Sequence, residues 1–298
     1  MHKATLLFAG VSIFLAFGIG MVVSKITQDS HITIPLSGGS SIVLGLPEHE
    51  QEDNAVLAHP KSTILFNTDT NTILFQQNAF ERRPLASITK LMTAMVALDH
   101  GIPWDKEANI LPQEYGVGGE LLLHPGETVS LKDLFTASLL GSANNATLAY
   151  VRQLGVSEEE FIQEMNRKAI ALNLEQTEFF DVTGLNSKNV STAYEVAILA
   201  HQAFTKYPDI SQVTSQKKYT FTVRGTQREH TIRNTNKLIA DGNMEATGSK
   251  TGFLYEAGYC LVTQGAGVHK DRIAVVMNDI SEDAQFAEIE RLLKMQVK

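Results

Sequence analysis

The chain has 298 residues, 43% of them hydrophobic and 19% charged, which is enough apolar material for one large core or two modest ones and excludes a disordered polymer. A formal net charge of -8, with no basic run interleaved with aromatics, excludes a nucleic-acid-binding surface. The single cysteine, Cys260, excludes an internal disulfide, and nine scattered histidines without His-Glu-x-x-His spacing exclude a zinc peptidase, so no metal and no cofactor is expected.

In chain order, Ala4 to Val23 is an uncharged apolar run of the length that crosses a bilayer core. His2 and Lys3 precede it, and Val22-Val23-Ser24 is only a poor cleavage exit, so length favours an uncleaved anchor over a cleaved signal, and export follows from either. Lys3 and Lys25 flank the run on both sides and leave its orientation open. The boundaries expected are residues 1–24 as membrane anchor or signal segment, 25–54 as a polar Gly/Ser-bearing linker, and 55–298 as the folded domain.

That domain opens with two strand-like runs, Ser62 to Asn67 and Thr72 to Gln76, around the turn sequence Thr68-Asp69-Thr70-Asn71. Ile88, Leu91, Met92, Met95 and Val96 then mark one apolar helical stripe beginning directly after Ser87. Capping-box patterns Ser130-x-x-Asp133, Ser157-x-x-Glu160 and Thr192-x-x-Glu195 announce three further helices. In the second of these, Phe161, Ile162, Met165, Ala169 and Leu172 form the buried face, and Glu158, Glu159 and Lys168 read as solvated charges. Alternation at Tyr219, Phe221 and Val223, a turn at Gly225-Thr226 and a return over His230 to Arg233 predict a hairpin. Strands are expected near Ala246 to Thr251, Gly258 to Gln264 and Arg272 to Met277, followed by a closing helix from Ser281 to Met295 with Phe286, Ile289, Leu292 and Leu293 inward. This order predicts an α+β fold: an antiparallel sheet drawn from both chain ends, with a mostly helical middle region.

Three short motifs carry the chemistry. An alcohol becomes a nucleophile when a base stands within hydrogen-bond reach, and on a helix the residue three positions on shares its face, which Ser87-Ile88-Thr89-Lys90 satisfies. At a helix start the Ser87 amide also lies among the unpaired donors that can stabilise an oxyanion. Ser-x-x-Lys arises about once by chance in a chain this long; the second copy, Ser215 to Lys218, lies at a strand edge where the two side chains diverge. Ser142-Ala143-Asn144 offers a hydroxyl for proton relay and an amide for fixing a neighbour, but its residue types equally suit a helix cap. Ser187-Lys188-Asn189 is a competing match in loop-like sequence. Lys250-Thr251-Gly252, rarer at roughly one chance in ten, would set a cation, a hydroxyl and a residue without a side chain along one strand, letting a substrate backbone approach.

Ser-x-x-Lys, Ser-x-Asn and Lys-Thr-Gly in this order are the mark of penicillin-binding proteins and related β-lactamases. Over residues 55 to 280 the chain resembles the low-molecular-mass penicillin-binding proteins, the D-alanyl-D-alanine carboxypeptidase family of serine D,D-peptidases. Pro84 to Thr93, Leu123-His124-Pro125-Gly126-Glu127, Thr183-Gly184-Leu185, and Ala257-Gly258-Tyr259 after Lys250-Thr251-Gly252 also carry the likeness. The resemblance implies a β-lactamase/transpeptidase-like fold and trimming of peptidoglycan stem peptides ending in D-Ala-D-Ala through an acyl-enzyme, with β-lactam antibiotics as covalent inhibitors. It implies that Ser87 attacks and Lys90 takes its proton, that Ser142 and Asn144 assist proton transfer and hold substrate, and that Lys250 and Thr251 receive the terminal carboxylate beside Gly252. The amides of Ser87 and Phe253 would form the oxyanion hole. Lys90 must then act as a neutral amine, with its pKa lowered by burial and by the charge of Lys250.

Rival readings are a D,D-endopeptidase cutting cross-links, whose branch Asn234-Thr235-Asn236-Lys237-Leu238 resembles, a β-lactamase and a penicillin sensor. A β-lactamase commonly carries Glu-x-x-Leu-Asn, and here Val182 stands where that Glu would be. The carboxypeptidase is placed first. Its site of action would be the outer face of the bacterial cytoplasmic membrane or the periplasm.

Overall fold

The structure, a computed structural model, describes residues 31–35, 41–45 and 61–296. The apolar segment Ala4 to Val23 lies outside the described residues; among the described residues no helix is long and apolar enough to cross a membrane. Within the stretch expected to be a linker, His31–Pro35 (β1) and Ser41–Gly45 (β2) pair antiparallel, Ile32 facing Leu44 and Ile34 facing Ile42. Ile, Thr and Val supply β-propensity on both sides of Gly38-Gly39, a signal the polar composition of the whole stretch hides.

In the remaining unit, Ser62–Asn67 (β3) and Thr72–Gln77 (β4) form the expected hairpin. Its turn is fastened by the Asn67 Oδ1 atom, which accepts from the amides of Asp69 at 3.0 Å and Thr70 at 2.8 Å, while Asn71 takes the left-handed conformation, φ 56°. Arg83–Pro84 (β5) leads into the long helix Thr89–Asp99 (α1). Glu107–Ala108 (β6) pairs with Val129–Ser130 (β7), and Leu131–Leu140 (α2), Asn144–Arg152 (α3) and Glu158–Ala171 (α4) follow. Val190–Ser191 (β8) returns to pair with β5 before Ala193–Lys206 (α5) and Pro208–Thr214 (α6). Lys218–Thr222 (β9) and Glu229–Arg233 (β10) make the second hairpin, and Lys237–Ala240 (α7) is a single turn. Ala246–Leu254 (β11), Gly258–Gly265 (β12), Arg272–Asp279 (β13) and Glu282–Leu293 (α8) complete the chain.

The five-stranded antiparallel sheet runs β11-β12-β13-β3-β4, so strands from both ends of the unit meet where β13 pairs with β3. Side chains of period two divide it. Leu65, Leu261, Ala274 and Val276 pack on Phe286, Ile289, Leu292 and Leu293 of α8. Ile64, Phe66, Val262, Ile273, Val275 and Met277 join the larger core with the helical region. Covering both faces is why Ile273 to Met277 reads as an unbroken apolar run rather than an alternation.

All three expected caps form, Ser130, Ser157 and Thr192 each accepting from the amide three residues on at 3.1 Å. Helix α1 departs from the one-sided stripe expected of it. Nine of its residues, Thr89 to Ala97, are buried, because α2, α4 and α5 surround it. Lys168 also departs from the solvated reading: its amine pairs with Asp99 and donates to the Tyr207 hydroxyl at 3.1 Å, tying α4 to the ends of α1 and α5.

Candidate active site

Ser87 lies in a 3₁₀ turn, Ala86–Ile88, that runs directly into α1. One helical turn therefore carries Lys90 back toward it, and Lys90 Nζ stands 2.8 Å from Ser87 Oγ. Two obligate acceptors complete the amine's surroundings, Asn144 Oδ1 at 2.6 Å and the Thr183 carbonyl at 2.8 Å. Asn144 cannot turn its other end to the lysine, since its Nδ2 faces the Gly118 carbonyl at 2.5 Å and the Val117 carbonyl at 3.2 Å. A neutral amine has two N–H groups for those two acceptors and one lone pair, which is left for the Ser87 hydroxyl proton.

Burial is the larger reason why the Lys90 amine loses its proton well below the usual lysine range, and the nearby charge of Lys250 is the next; the carboxylate of Asp181 works against both. Lys90 is fully buried, so its environment can change only through these few neighbours.

The turn ahead of the serine is crowded. Ala86 is held at φ 46°, a region that costs an L-residue with a side chain about 1 kcal/mol or more. A Cβ at Gly184, itself at φ 92°, would stand 1.9 Å from the Ala86 carbonyl oxygen. A Cβ at Gly252 would stand 3.0 Å from the Ser87 amide nitrogen and 3.1 Å from the Leu85 oxygen. Gly252 thus makes room first for the serine's own backbone, a nearer constraint than the approach of a substrate.

Ser142-Ala143-Asn144 is not a side-chain cap. Ala143 occupies the N-cap position of α3, and Ser142 before it is held in the left-handed region at φ 58°. Its side-chain oxygens are spent elsewhere: Asn144 on Lys90, and Ser142 Oγ on Lys250 Nζ at 2.9 Å. The Asn144 amide nitrogen donates to the Gly119 carbonyl at 2.6 Å and Asn145 Nδ2 to the Leu121 carbonyl at 3.1 Å, so the glycine-bearing segment 116–121 becomes a wall of the site.

Lys250 comes from β11, the edge strand of the sheet beside the Ser87 turn. It too is fully buried, and burial lowers its pKa to about 7. Beyond Ser142 it donates to the Thr251 carbonyl at 2.9 Å. Thr251 Oγ1 donates to Thr235 Oγ1 at 2.6 Å, and Phe253, 44% exposed, packs its ring 4.4 Å from that of Tyr259. All three motifs therefore meet in one place, linked by the chains Ser87–Lys90–Asn144 and Ser142–Lys250. Ser215 ends α6 with its hydroxyl donating to the Gln212 carbonyl at 3.4 Å, and Lys218 opens β9, so the second Ser-x-x-Lys forms no such pair.

Motif spacing gave no role to Thr235, Asp181 or Asn189. Asn189, the last residue of the competing Ser-Lys-Asn match, is fully buried and ties residues 180–181 to Thr89. Asp181 closes the turn that presents the Thr183 carbonyl. In the sequence, Asp181 was marked only by the nearby likeness at Thr183-Gly184-Leu185, and Asn189 by the loop-like Ser187-Lys188-Asn189 match. Among the described residues there is no cluster of three or more His, Cys, Asp or Glu side chains fit to hold a metal. A cavity of about 490 Å³ lined by Phe66, Asn71, Leu172, Tyr194 and His201 shares no residue with the site, so chemistry and not volume singles the site out.

A family model for D-alanyl-D-alanine carboxypeptidases matches residues 49–281. D-alanyl-D-alanine carboxypeptidase DacF of Bacillus subtilis is 33% identical over 244 residues, covering 80% of this chain and 62% of DacF. A D-alanyl-D-alanine endopeptidase of Escherichia coli is 33% identical over 235 residues, 78% of this chain and 75% of that protein. Among solved structures, a variant of a Streptomyces DD-transpeptidase superposes with a TM-score of 0.70 at 28% identity, over 78% of this chain and 95% of that one.

Proposed function

The chain belongs to the D-alanyl-D-alanine carboxypeptidase family, and on that footing we propose that it is a serine D,D-peptidase that removes the terminal D-alanine from peptidoglycan stem peptides. The observation that carries this reading is the Lys90 amine set 2.8 Å from Ser87 Oγ with its other two directions taken by fixed acceptors. As Ser87 Oγ attacks the carbonyl of the penultimate D-alanine, its proton passes to the Lys90 lone pair. The amides of Ser87 and Phe253 receive the developing oxyanion, and the Lys250–Ser142 pair delivers a proton to the departing D-alanine amine. Lys250 and Thr251 hold the substrate's terminal carboxylate, which in turn favours the charged form of Lys250. The proton held by Lys90 passes on to replace the one given to the departing amine, so Lys90 is again a neutral amine; it then takes a proton from the water that attacks the acyl carbonyl and returns it to Ser87 Oγ as the acyl bond breaks.

A β-lactam acylates the same serine, and the adduct persists. Val182, standing where a β-lactamase commonly carries its water-activating Glu, is fully buried. The neighbouring Asp181 carboxylate is occupied by loop donors.

Hydrolysis of cross-links is the second reading. It is favoured by an endopeptidase relative as similar as DacF, at 33% identity, and by Thr235, from the segment resembling that branch, sitting against Thr251. The substrate lies outside the cytoplasmic membrane, which makes the apolar segment Ala4 to Val23 the export signal or tether.

A fluorescent penicillin followed by peptide mapping should mark Ser87 and stay there for many turnovers' worth of time. Mass spectrometry of wall fragments after incubation then separates the readings. Loss of one alanine supports the carboxypeptidase, conversion of dimers to monomers the endopeptidase, and neither product with an unlabelled Ser87 overturns both.

A further inference from the structure

The segment from Phe180 to Asn189 has almost no regular structure, yet among the described residues it supplies the one main-chain oxygen hydrogen-bonded to the Lys90 amine. Its shape comes from a single carboxylate. Asp181 Oδ1 accepts from the Gly184 amide at 2.6 Å, the Thr183 amide at 3.1 Å and Asn189 Nδ2 at 2.8 Å; Oδ2 accepts from the Asn186 amide at 2.8 Å and Thr183 Oγ1 at 3.2 Å. Five donors converging on one carboxylate leave it no free direction and fix the turn 181–186. Asn189 then fastens that turn to both sides of the nucleophile. Its carbonyl accepts from the Leu85 amide at 2.8 Å, and its Nδ2 donates to Thr89 Oγ1 at 3.1 Å.

We propose that Asp181, held by Asn189, is a positioning residue for the Lys90 base: it aims the Thr183 carbonyl at the amine and sets one negative charge beside it. The proposal rests on the serine-peptidase reading and deepens it. Two charged groups act on Lys90, Lys250 from β11 and Asp181 from this loop, while Ser87 and Asn144 face it uncharged. They oppose one another. Lys250 drives the amine toward its neutral form, and Asp181 keeps enough proton affinity in it for the amine to accept the serine's proton. Glu158 at the start of α4 feels the Asp181 charge; burial and that charge both raise its carboxyl pKa.

The test is the rate of acylation of the full chain by a fluorescent penicillin, followed across pH. Asp181→Asn keeps the size of the side chain and removes its charge, so the acid limb, where Lys90 becomes protonated, moves to lower pH, and the plateau falls about tenfold or more as the carbonyl loses its aim. A fall in rate with the limb unmoved overturns the proposal, since it is all that a merely structural Asp181 would give, and so does a parental profile. Should Asp181→Asn not fold, Asp181→Glu serves: it retains the charge but displaces it by one methylene. A slower plateau with the limb shifted from its parental pH, as the displaced charge requires, supports the proposal; a slower plateau with the limb in place, or the parental profile, overturns it. A parent enzyme not labelled at Ser87 sinks the peptidase reading, whereas a labelled parent indifferent to Asp181 sinks only this inference.

Discussion

The start of α1 and the edge strand β11 each bury one lysine completely, and the two lysines end in different chemical states of readiness. Lys90 projects from a helix into a ring of fixed acceptors, a backbone carbonyl and an amide oxygen, with a second cation nearby. Lys250 lies along a strand between a hydroxyl and its neighbour's carbonyl, and its pKa of about 7 leaves it poised to change charge. Burial alone lowers both. What separates a base from a switchable cation is the second influence: the charge of Lys250 pushes Lys90 further toward its neutral form, whereas burial is what acts on Lys250.

The comparison breaks most completely at Lys90. Lys90→Met keeps the length and apolar stem but removes the lone pair, and acylation of Ser87 by a fluorescent penicillin should fall by roughly 10²–10⁴-fold, the range for loss of a general base. Stopped-flow rates for parent and variant check it. A variant that acylates at the parental rate would move the base to another group.

Next comes the coupling between the two. Lys250→Met removes the positive charge that favours a neutral Lys90, so the acid limb of acylation moves to higher pH; the rate falls as well, by about 10²–10³-fold, the scale for losing one electrostatic donor. If the variant acylates as fast as the parent, the electrostatic role given to Lys250 is wrong. The alkaline limb sharpens the same point. In the free enzyme only charged Lys250 attracts a carboxylate, and its folded pKa of about 7 lies below the free-lysine value. It therefore carries charge below about pH 7 and loses it above, so kcat/KM should decline on the alkaline side from there. Lys250→Arg stays charged throughout and should erase that decline, whatever it costs in rate.

How much of this was legible in sequence follows the distance between partners. Ser87 and Lys90 are three residues apart, and helical geometry turns that spacing directly into a 2.8 Å contact. The three caps are equally local, and each reads correctly from its own four residues. Ser142 could not be read so. In isolation it has the composition of a cap, and only the arrival of Lys250, 108 residues later, gives its oxygen another partner. Asp181 carries no motif, and Asn189 falls in a Ser-x-Asn match that points to a different role, because their donors are mostly main-chain amides, which any sequence supplies. The Thr183 carbonyl that meets Lys90 lies 93 residues from it and belongs to the backbone, so no side-chain pattern could mark it. That the two ends of the unit share a sheet was easier, since strands at both ends with helices between them imply it, and β13 does pair with β3.

The smallest effect separates stability from electrostatics. Ser157 caps α4 by accepting from the Glu160 amide at 3.1 Å, in an exposed position with no bond to the site. Thr192 makes the same bond for α5, but its N3 residue Glu195 also accepts from the Gln176 amide at 2.9 Å and from Thr177 Oγ1 at 2.6 Å, just ahead of the loop that holds Asp181. Ser157→Ala should therefore cost about 1 kcal/mol of stability, a fall in Tm of about 2–4 °C for a domain of this size, with both limbs of the pH profile unmoved. Glu195→Gln leaves the cap in place and weakens the hold on residues 176–177, so its slower acylation should exceed what its loss of Tm accounts for. Calorimetry beside the acylation profile decides the matter: if the two variants lose rate in proportion to stability alone, the loop has no privileged link to the base, and the contrast between the two lysines rests on burial and Lys250 only.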